Sequence, residues 1–438
     1  MHVYFRSSLF FIFAFFMLLS TSCKLGSATI SGRVVDNSGG NNSNPPDNNT
    51  PPPPPPTPPA PPAGFDYVCA GTPTTFTTGM NANVVVGQAD FLSAAANAGS
   101  TPTAATLNTP DGVFADQSRL LIGDKNNNRV LIFDTIPSMD GASANLVLGQ
   151  PDFVSNTANN GGLGPSSLKN PRRAVYDGTY FAVADNNNAR VLIWNGLPST
   201  NAEAADTVLG QPDFVTNTAN NGGVSATSQH SGYPTLFAIP GEALVFADVW
   251  NYRVLFYEHP LTDQQAANRV VCQNNFTSAS WGATASTCDE PAGVWTDGTR
   301  LLIADRYNHR VLVYNSFPTT DGAAADFVID QPDLTSHSSN QGGSVAANTL
   351  SQPHGVASDG TRIFIADSNN HRVLIYNQFP TADNANADTV IGQANFISNS
   401  INQGGGAGAQ TLRKPTDVYF DGCHLFVADQ QNHRVMIY

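Results

Sequence analysis

Asp111, Arg172, Arg173, His354 and Asp417 are the side chains whose types and positions suit them to act on a ligand. Each follows a proline that recurs along the chain, and the residues at this place differ from one recurrence to the next. Carboxylates and imidazoles hold metal ions or move protons, and guanidinium groups bind anions. Because the frame recurs while these residues vary, we predict that the five face a ligand, with plain solvation of each side chain as the alternative.

A catalytic site built from such residues would need several histidines and carboxylates that converge on one point. The sequence offers only His354 and Asp111 as single candidates, and it contains no G-x-S-x-G, H-E-x-x-H or P-loop motif. We therefore assign no catalytic residue, no metal ligand and no cofactor. A structural calcium ion stays open, and so does a metal-dependent lyase or hydrolase.

The five residues are set in a repeat that begins near residue 81. One block, Asp-x-x-Asn-x-Arg-Val, occurs six times at spacings of 57 to 63 residues. A second block, Val-x-Gly-Gln-x-Asp-Phe or close to it, also occurs six times. The aspartates and arginines of the first block are Asp124 and Arg129, Asp185 and Arg190, Asp248 and Arg253, Asp305 and Arg310, Asp367 and Arg372, and Asp429 and Arg434.

Residues that recur in every unit are better explained by the structure of the unit than by a ligand. We predict that each aspartate accepts hydrogen bonds from turn amides and that each arginine bridges to it or to the next unit. The histidines at 309, 371 and 433 recur in the same way and are predicted to be structural. The Asn- and Gly-rich tract at 157–162, repeated at 218–223, either offers amides to a glycan or peptide or serves turn chemistry.

Each unit divides into four short strands, called a to d, that are rich in Val, Ile, Phe and Tyr and separated by Gly, Asn and Asp. Four-stranded units at a fixed period are typical of propeller blades. The repeats begin with a d strand at 83–88 and end with a c strand at 433–438. The sequence therefore predicts an all-β, six-bladed β-propeller with four-stranded blades, whose ring is closed by an N-terminal strand that joins the last blade.

The pattern resembles the NHL-repeat β-propeller family. The Asn-His-Leu signature of that family reads Asn-His-Arg here at 308–310, 370–372 and 432–434, and the resemblance covers residues 81–438. The units are longer than a typical NHL repeat. The resemblance implies an interaction platform, although some six-bladed relatives are lyases or hydrolases with a metal in the central channel. In most propellers the start of strand a lines one mouth of that channel, which is where the five candidate residues are expected.

Four cysteines beyond residue 23 allow three pairings. Cys272 and Cys288 enclose the shortest loop between units, and a bond between them would brace it. Cys69 precedes the closing strand and Cys423 lies in the last unit, so their bond would lock the two ends of the ring. Free buried thiols are the alternative.

The N-terminus predicts export. Residues 1–22 are typical of a signal peptide, because the apolar run at 9–19 is too short to span a bilayer. Cys23 resembles a lipoprotein attachment site, with ordinary secretion as the alternative. A Pro- and Asn-rich tether completes residues 23–63, and the propeller is assigned to residues 64–438.

Charge and composition narrow the function. Only 12% of the 438 residues are charged, and 20 Lys and Arg against 34 Asp and Glu give a net charge of −14. Nucleic-acid binding, known for some intracellular NHL proteins, needs clustered cations and is not expected. We predict a non-catalytic binding scaffold for a protein or glycan partner in the cell envelope. It would be an outer-membrane or cell-surface lipoprotein held only by its N-terminal lipid, or otherwise periplasmic or secreted.

Overall fold

The computed structural model describes residues 69, 74–230, 232 and 235–438. The predicted signal peptide at 1–22, the lipid-attachment residue Cys23 and the tether to residue 63 lie outside the described residues. Within the described part of the chain there are strands and single 3₁₀ turns but no α-helix.

Twenty-four strands form six antiparallel sheets of four strands each, which confirms the predicted propeller. Blade 1 contains β2 (Pro110–Ala115), β3 (Leu120–Asp124), β4 (Arg129–Phe133) and β5 (Leu146–Leu148). Blade 2 contains β6 (Ala174–Tyr176), β7 (Phe181–Asp185), β8 (Arg190–Trp194) and β9 (Thr207–Leu209). Blade 3 contains β10 (Thr235–Ile239), β11 (Ala243–Asp248), β12 (Arg253–Glu258) and β13 (Arg269–Val271).

The remaining three blades have the same order of strands. Blade 4 contains β14 (Pro291–Thr296), β15 (Leu301–Asp305), β16 (Arg310–Tyr314) and β17 (Phe327–Ile329). Blade 5 contains β18 (Pro353–Ser358), β19 (Ile363–Asp367), β20 (Arg372–Tyr376) and β21 (Thr389–Ile391). Blade 6 contains β22 (Pro415–Phe420), β23 (Leu425–Asp429), β24 (Arg434–Ile437) and β1 (Val84–Val86).

The 3₁₀ turns belong to two sets. One set forms the turn between strands b and c: Lys125–Asn127, Asn186–Asn188, Val249–Asn251, Ser368–Asn370 and Gln430–Asn432. The other set lies in the loops that lead from strand d to the next blade: Ala96–Gly99, Ala158–Gly161, Ser339–Gly342 and Ile401–Gly404. The b–c turns and d–a loops lie at one end of the blades, which we call the upper face.

The blades pack face to face, and this explains their sequences. Strands b and c carry nearly continuous apolar runs, such as LLIAD in β15 and RVLVY in β16, and every residue of both strands is buried. A sheet covered on both faces selects Val, Ile and Leu at successive positions rather than at alternate ones. Most buried apolar residues belong to one large core cluster that extends over several blades.

The ring closes as predicted through the N-terminal strand. In β1, Val84 pairs with Ile437 and Val86 pairs with Val435 of β24, in antiparallel register. Two strands from opposite ends of the chain thus share one blade. Closure removes the open sheet edges that would otherwise invite aggregation.

Strand a does not start in the same way in every blade. In blades 1, 4, 5 and 6 a register shift follows the recurring proline, so that strand a has one more residue than its partner strand there. In blade 3 the described pairs begin at Thr235, which pairs with Ala247 as Asp417 pairs with Ala428 in blade 6. Thr235 therefore occupies the second place of this segment, one position later than the sequence pattern indicates.

Candidate functional site

The repeated aspartate and arginine form a buried ion pair beside every b–c turn. In all six pairs the arginine Nε donates to the aspartate Oδ2 at 2.7–2.8 Å. Arg129 also donates through Nη1 to the Phe153 carbonyl at 2.5 Å and through Nη2 to the Thr103 carbonyl at 2.9 Å. These carbonyls belong to the loops that leave and enter blade 1. The pair therefore joins each blade to the loops on both sides.

The Asn-rich tracts are also attached to the b–c turns, through hydrogen bonds between asparagine side chains. Asn159 in the first tract and Asn188 in a b–c turn exchange side-chain hydrogen bonds at 3.3 and 2.8 Å. Asn220 in the second tract and Asn251 do so at 2.9 and 2.7 Å. Of the two interpretations left open by the sequence, turn chemistry therefore describes these amides, because their side chains bond within the protein.

The repeated histidines connect neighbouring blades. The Nδ1 atom of each accepts a hydrogen bond from a backbone N–H of the next blade, at 2.9–3.0 Å: His309 from Gln352, His371 from Lys414 and His433 from Thr109. An accepting Nδ1 requires a neutral ring. Burial, together with the charges of His337 and Arg306, lowers the pKa of His309 to about 4.

Both predicted disulfides are present. Cys69 is bonded to Cys423 across 354 positions of sequence, with Cα atoms 4.9 Å apart, and Cys272 is bonded to Cys288. The first joins the segment before the closing strand to the last blade, and the second closes the loop that enters blade 4. Disulfides persist outside the reducing cytosol, so the two bonds indicate an extracellular or periplasmic protein.

The five residues predicted to bind a ligand do converge at the upper mouth of the channel. They line one enclosed cavity together with Thr235, Ala292 and Thr416. The cavity measures about 10 Å³ and has room for no more than one water molecule. All five side chains are buried, with at most 4% of each residue exposed.

Two ion pairs occupy this mouth. Arg172 of blade 2 forks onto Asp111 of blade 1, with Nη1 2.9 Å from Oδ1 and Nη2 2.8 Å from Oδ2. Lys125 Nζ lies 3.3 Å from the same carboxylate. Arg173 forks onto Asp417 of blade 6, with Nε 2.8 Å from Oδ2 and Nη2 bonded to Oδ1. The charges of this channel cluster are therefore paired with one another.

The ion pair between Arg173 and Asp417 joins blade 2 to blade 6 and so extends across the start of strand a in blade 1, which lies between them. Gly112 lies at that point, and a Cβ added to it would be 2.5 Å from the Arg173 Cα. No side chain larger than hydrogen fits there without a shift of backbone. The glycine therefore lets the two arms of the ion pair meet.

The electrostatics of the channel cluster favour internal pairing. Burial opposes the ionisation of Asp111, but the charges of Arg172 and Lys125 outweigh it and hold the pKa of Asp111 well below its usual value. Burial and the nearby charge of Arg306 hold the pKa of His354 well below its usual value. Burial raises the pKa of Asp417, and the charge of Arg173 opposes that shift. The cluster thus contains two carboxylate–guanidinium pairs and a neutral imidazole.

Aromatic side chains of strand a pack next to these ion pairs. The Arg173 guanidinium lies 6.0 Å from the centre of the Tyr419 ring, which is 4.9 Å from the Phe114 ring. Phe237 and Trp295 occupy the equivalent places in blades 3 and 4 and are also buried, with ring centres 6.5 Å apart. These contacts give the five channel residues a structural role, and their binding of a ligand stays a prediction.

A different part of the upper face exposes aromatic side chains. Trp250, Trp281 and Tyr307 have exposed fractions of 43%, 66% and 41%. Trp250 and Tyr307 occupy the same position in the b–c turns of blades 3 and 4, and Trp281 lies in the loop between these blades. We call the three residues the aromatic surface.

Hydrogen bonds link the backbone segments that carry the three aromatic residues. Gln273 Nε2 donates to the carbonyls of Tyr252 and Ser280, at 2.9 and 2.7 Å, and so joins the turn of Trp250 to the residue before Trp281. The Tyr307 N–H donates to the Asp289 carbonyl of the same loop at 3.0 Å. The three aromatic residues therefore lie on hydrogen-bonded segments of two neighbouring blades.

The sequence analysis missed this surface, although the signal was there. The third position of the Asp-x-x-Asn-x-Arg block is Asn or Gln in the other four blades and aromatic only at 250 and 307. The repeat was predicted to vary at the start of strand a, and the variation at the turns was not recognised. What the sequence could not show is that the strand starts are buried while the turns are open.

Metal ligands do not gather in the described residues. No group of three or more His, Cys, Asp or Glu side chains is placed to hold a metal ion there. In the same part of the chain, no helix has the length and hydropathy of a membrane span.

Comparison with known proteins supports the repeat. The model of the NHL repeat matches residues 350–376, which contain β18, β19 and β20. No curated protein sequence matches the chain.

Solved structures similar to this chain share little of its sequence. An auxiliary nutrient binding protein from Bacteroides thetaiotaomicron VPI-5482 is 13% identical with a TM-score of 0.46, over 76% of this chain and 69% of that one. Hydrazine synthase of Kuenenia stuttgartiensis is 12% identical with a TM-score of 0.41, over 76% and 96%. A streptogramin B lyase is 10% identical with a TM-score of 0.40, over 77% and 95%.

Proposed function

We propose that this six-bladed NHL-repeat β-propeller is a non-catalytic, extracytoplasmic binding module that meets its protein or glycan partner through the aromatic surface. The observation that carries the proposal is the exposure of Trp250, Trp281 and Tyr307 on two adjacent blades. Exposed aromatic residues that are clustered and rigidly held are typical of binding surfaces. The N-terminal tether, with Cys23 as its lipid attachment, would hold this face away from the cell envelope.

The opposite assignment, a metal-dependent lyase or hydrolase in the channel, gains no support from the described residues. A substrate would have to enter a mouth whose cavity holds about 10 Å³ and whose charges are paired. Opening it would break buried ion pairs, which costs several kcal/mol for each unpaired charge. The question of a structural calcium ion, which the sequence leaves open, is not decided by these residues.

The proposal is tested by retention of envelope material on the immobilised full-length chain. We expect the native protein to retain a specific component from the envelope of the source bacterium. The variant with both Trp281→Ala and Tyr307→Ala should retain at least tenfold less, because it lacks two exposed rings. Treating the envelope beforehand with protease or with periodate shows whether that component is protein or glycan.

The matched control is Met139→Ala. Met139 has an exposed fraction of 72% and lies in the c–d loop of blade 1, at the lower end of the blades. It removes a comparable apolar side chain from the other face and should leave retention unchanged. Equal retention by the native protein and the double variant would contradict the proposed surface.

A further inference from the structure

The ring of Trp250 is held in one orientation by its neighbours. A Cβ added to Gly232, whose φ is +130°, would lie 2.4 Å from the indole, so the ring packs directly on this backbone. The His230 ring packs edge-on at 5.2 Å, and the Trp250 side chain hydrogen-bonds to Glu290. One side of the indole is therefore covered, and the remaining surface faces solvent. A ring fixed in this way loses little entropy when a ligand stacks on it.

Trp281 is presented by a cross-linked loop. The Cys272–Cys288 bond closes this loop, and the Gly282 N–H donates to the Cys288 carbonyl at 3.2 Å. Asn308 Nδ2 donates to the Gly282 carbonyl at 2.8 Å. In the other five blades the equivalent asparagine bonds to another asparagine of the d–a loop. Blade 4 replaces that pair with a short, rigid loop that carries a tryptophan.

The size of the aromatic surface favours a small ligand over a protein. With about 150–250 Å² for each aromatic side chain, the observed exposed fractions leave roughly 200–400 Å² open on the three residues. A standard protein interface takes about 800 Å² from each partner. A protein partner would therefore have to contact further residues of the upper face, whereas a ligand of a few sugar rings would not.

The charges around the surface favour an uncharged ligand. Asp289 and Glu290 lie in the same loop, and their charges contribute to the raised pKa of Tyr252, after burial. The net charge of −14 and these two carboxylates would repel an anionic polymer. A cationic group would meet Arg306, which lies 4.8 Å from the centre of the Tyr307 ring and 2.8 Å from the Glu290 carboxylate.

We propose that the aromatic surface binds an uncharged oligosaccharide, whose sugar rings stack on Trp281 and Trp250 and whose hydroxyl groups donate to the Asp289 carboxylate. This inference rests on the proposed binding function and names the ligand class of that surface. Asp289 is half-buried in the loop that carries Trp281, and its carbonyl accepts the Tyr307 N–H, so we assign the role of acceptor to its carboxylate. Sites for small ligands usually combine aromatic side chains, which provide contact area, with a few polar groups that fix the orientation of the ligand.

The test uses full-length protein and neutral oligosaccharides of glucose, N-acetylglucosamine, mannose and xylose, with polygalacturonate as the anionic probe. Tryptophan fluorescence and calorimetry measure binding. We expect at least one neutral oligosaccharide to bind and to shift the fluorescence, and polygalacturonate not to bind. Trp281→Ala should weaken that binding at least tenfold and Asp289→Asn several-fold, whereas Trp281→Tyr should restore most of it.

The control is Leu92→Ala, which removes an apolar residue with an exposed fraction of 78% from a d–a loop between blades 6 and 1. It should bind the oligosaccharide as the native protein does. If no neutral oligosaccharide binds, or if Trp281→Ala binds equally well, the saccharide inference is wrong. If the native protein then still retains a protease-sensitive envelope component that the double variant loses, the proposed surface stands with a protein partner. If it retains nothing, both proposals fail.

Discussion

The channel cluster and the aromatic surface lie on the same face of the propeller, and both differ between blades. In the channel cluster, Arg172 and Arg173 are paired with Asp111 and Asp417 and are at most 3% exposed. On the aromatic surface, Trp281 is 66% exposed and belongs to a loop braced by a disulfide. Variation between repeats therefore has two meanings. At the ring centre it allows unlike charges to pair with one another, and on the turns and loops it leaves aromatic side chains exposed.

One turn links the two regions. His309 follows Tyr307 of the aromatic surface by two residues, and its Nδ1 accepts the N–H of Gln352. Gln352 is followed by Pro353 and His354, which lies in the channel cluster. The turn that carries the exposed Tyr307 ring thus also positions the start of strand a in blade 5. Variants can separate the stability of the channel cluster from ligand binding at the aromatic surface.

The largest effect is expected from Arg173→Met. It leaves the Asp417 carboxylate buried without its partner and should lower the free energy of unfolding by about 3–5 kcal/mol. The matched control is Arg119→Met, which breaks the partly exposed pair with Asp116 and should cost less than about 1 kcal/mol. Urea denaturation measures both. Adding Asp417→Leu to Arg173→Met should recover most of the loss. If Arg173→Met costs as little as Arg119→Met, the channel cluster does not have the structural role assigned to it.

Replacing both Cys272 and Cys288 by serine should lower both the stability of the protein and its affinity for the ligand. The lost cross-link closes a short loop and is worth about 3 kcal/mol in the chain-entropy account. Because that loop carries Trp281, ligand affinity should fall as well. Replacing Cys69 and Cys423 should lower stability with no change in affinity, since that bond lies in blade 6. Calorimetry and ligand titration compare the two double variants. Equal ligand affinity in both would show that the Cys272–Cys288 bond does not support the binding site.

His309→Asn should change the pH dependence of stability. The folded pKa of His309, about 4, is below its unfolded value, so its contribution is complete above about pH 6.5 and is lost as the pH falls towards 4. Asn128 occupies the same position in blade 1 and accepts the N–H of Asn170 at 2.9 Å, so asparagine keeps the hydrogen bond. The variant should therefore lose about 1–2 kcal/mol less than the native protein between pH 6.5 and 4. Identical melting curves across this range would exclude the linkage.

The smallest stability effect is expected from Trp281→Ala. Its side chain is mostly exposed, so its removal should change the free energy of unfolding by less than about 0.5 kcal/mol. The same variant should show the largest loss of ligand binding. A marked drop in melting temperature would show that Trp281 is structural and would weaken the contrast between the two regions.

Much of this molecule could be predicted from its sequence, and the exceptions have physical causes. The blocks around Asp124 and its five counterparts predicted six blades, because each block supplies its own turn and its own ion pair. The end strands predicted at 83–88 and 433–438 indicated the closure that the pairing of β1 with β24 confirms. The cysteine positions predicted both disulfides. Each of these inferences rests on local chemistry that is repeated or on the requirement that a ring have no open edge.

Burial at the ring centre was not predictable in the same way. Asp111, Arg172, Arg173, His354 and Asp417 were recognised as unusual, but their mutual pairing depends on contacts between residues up to 244 positions apart. Whether a charge meets water or another charge follows from how closely six strands approach the axis, and Gly112 sets that distance for one of them.

By itself, the sequence determined the number of blades, their closure, and the turn chemistry that recurs in each, because these depend on short-range pattern and periodicity. Only the tertiary structure decided which of the non-repeated residues are available to a ligand. Packing around a narrow axis excludes water and makes charges pair with one another, whereas the turns of blades 3 and 4 project from the rim and keep Trp250, Trp281 and Tyr307 exposed.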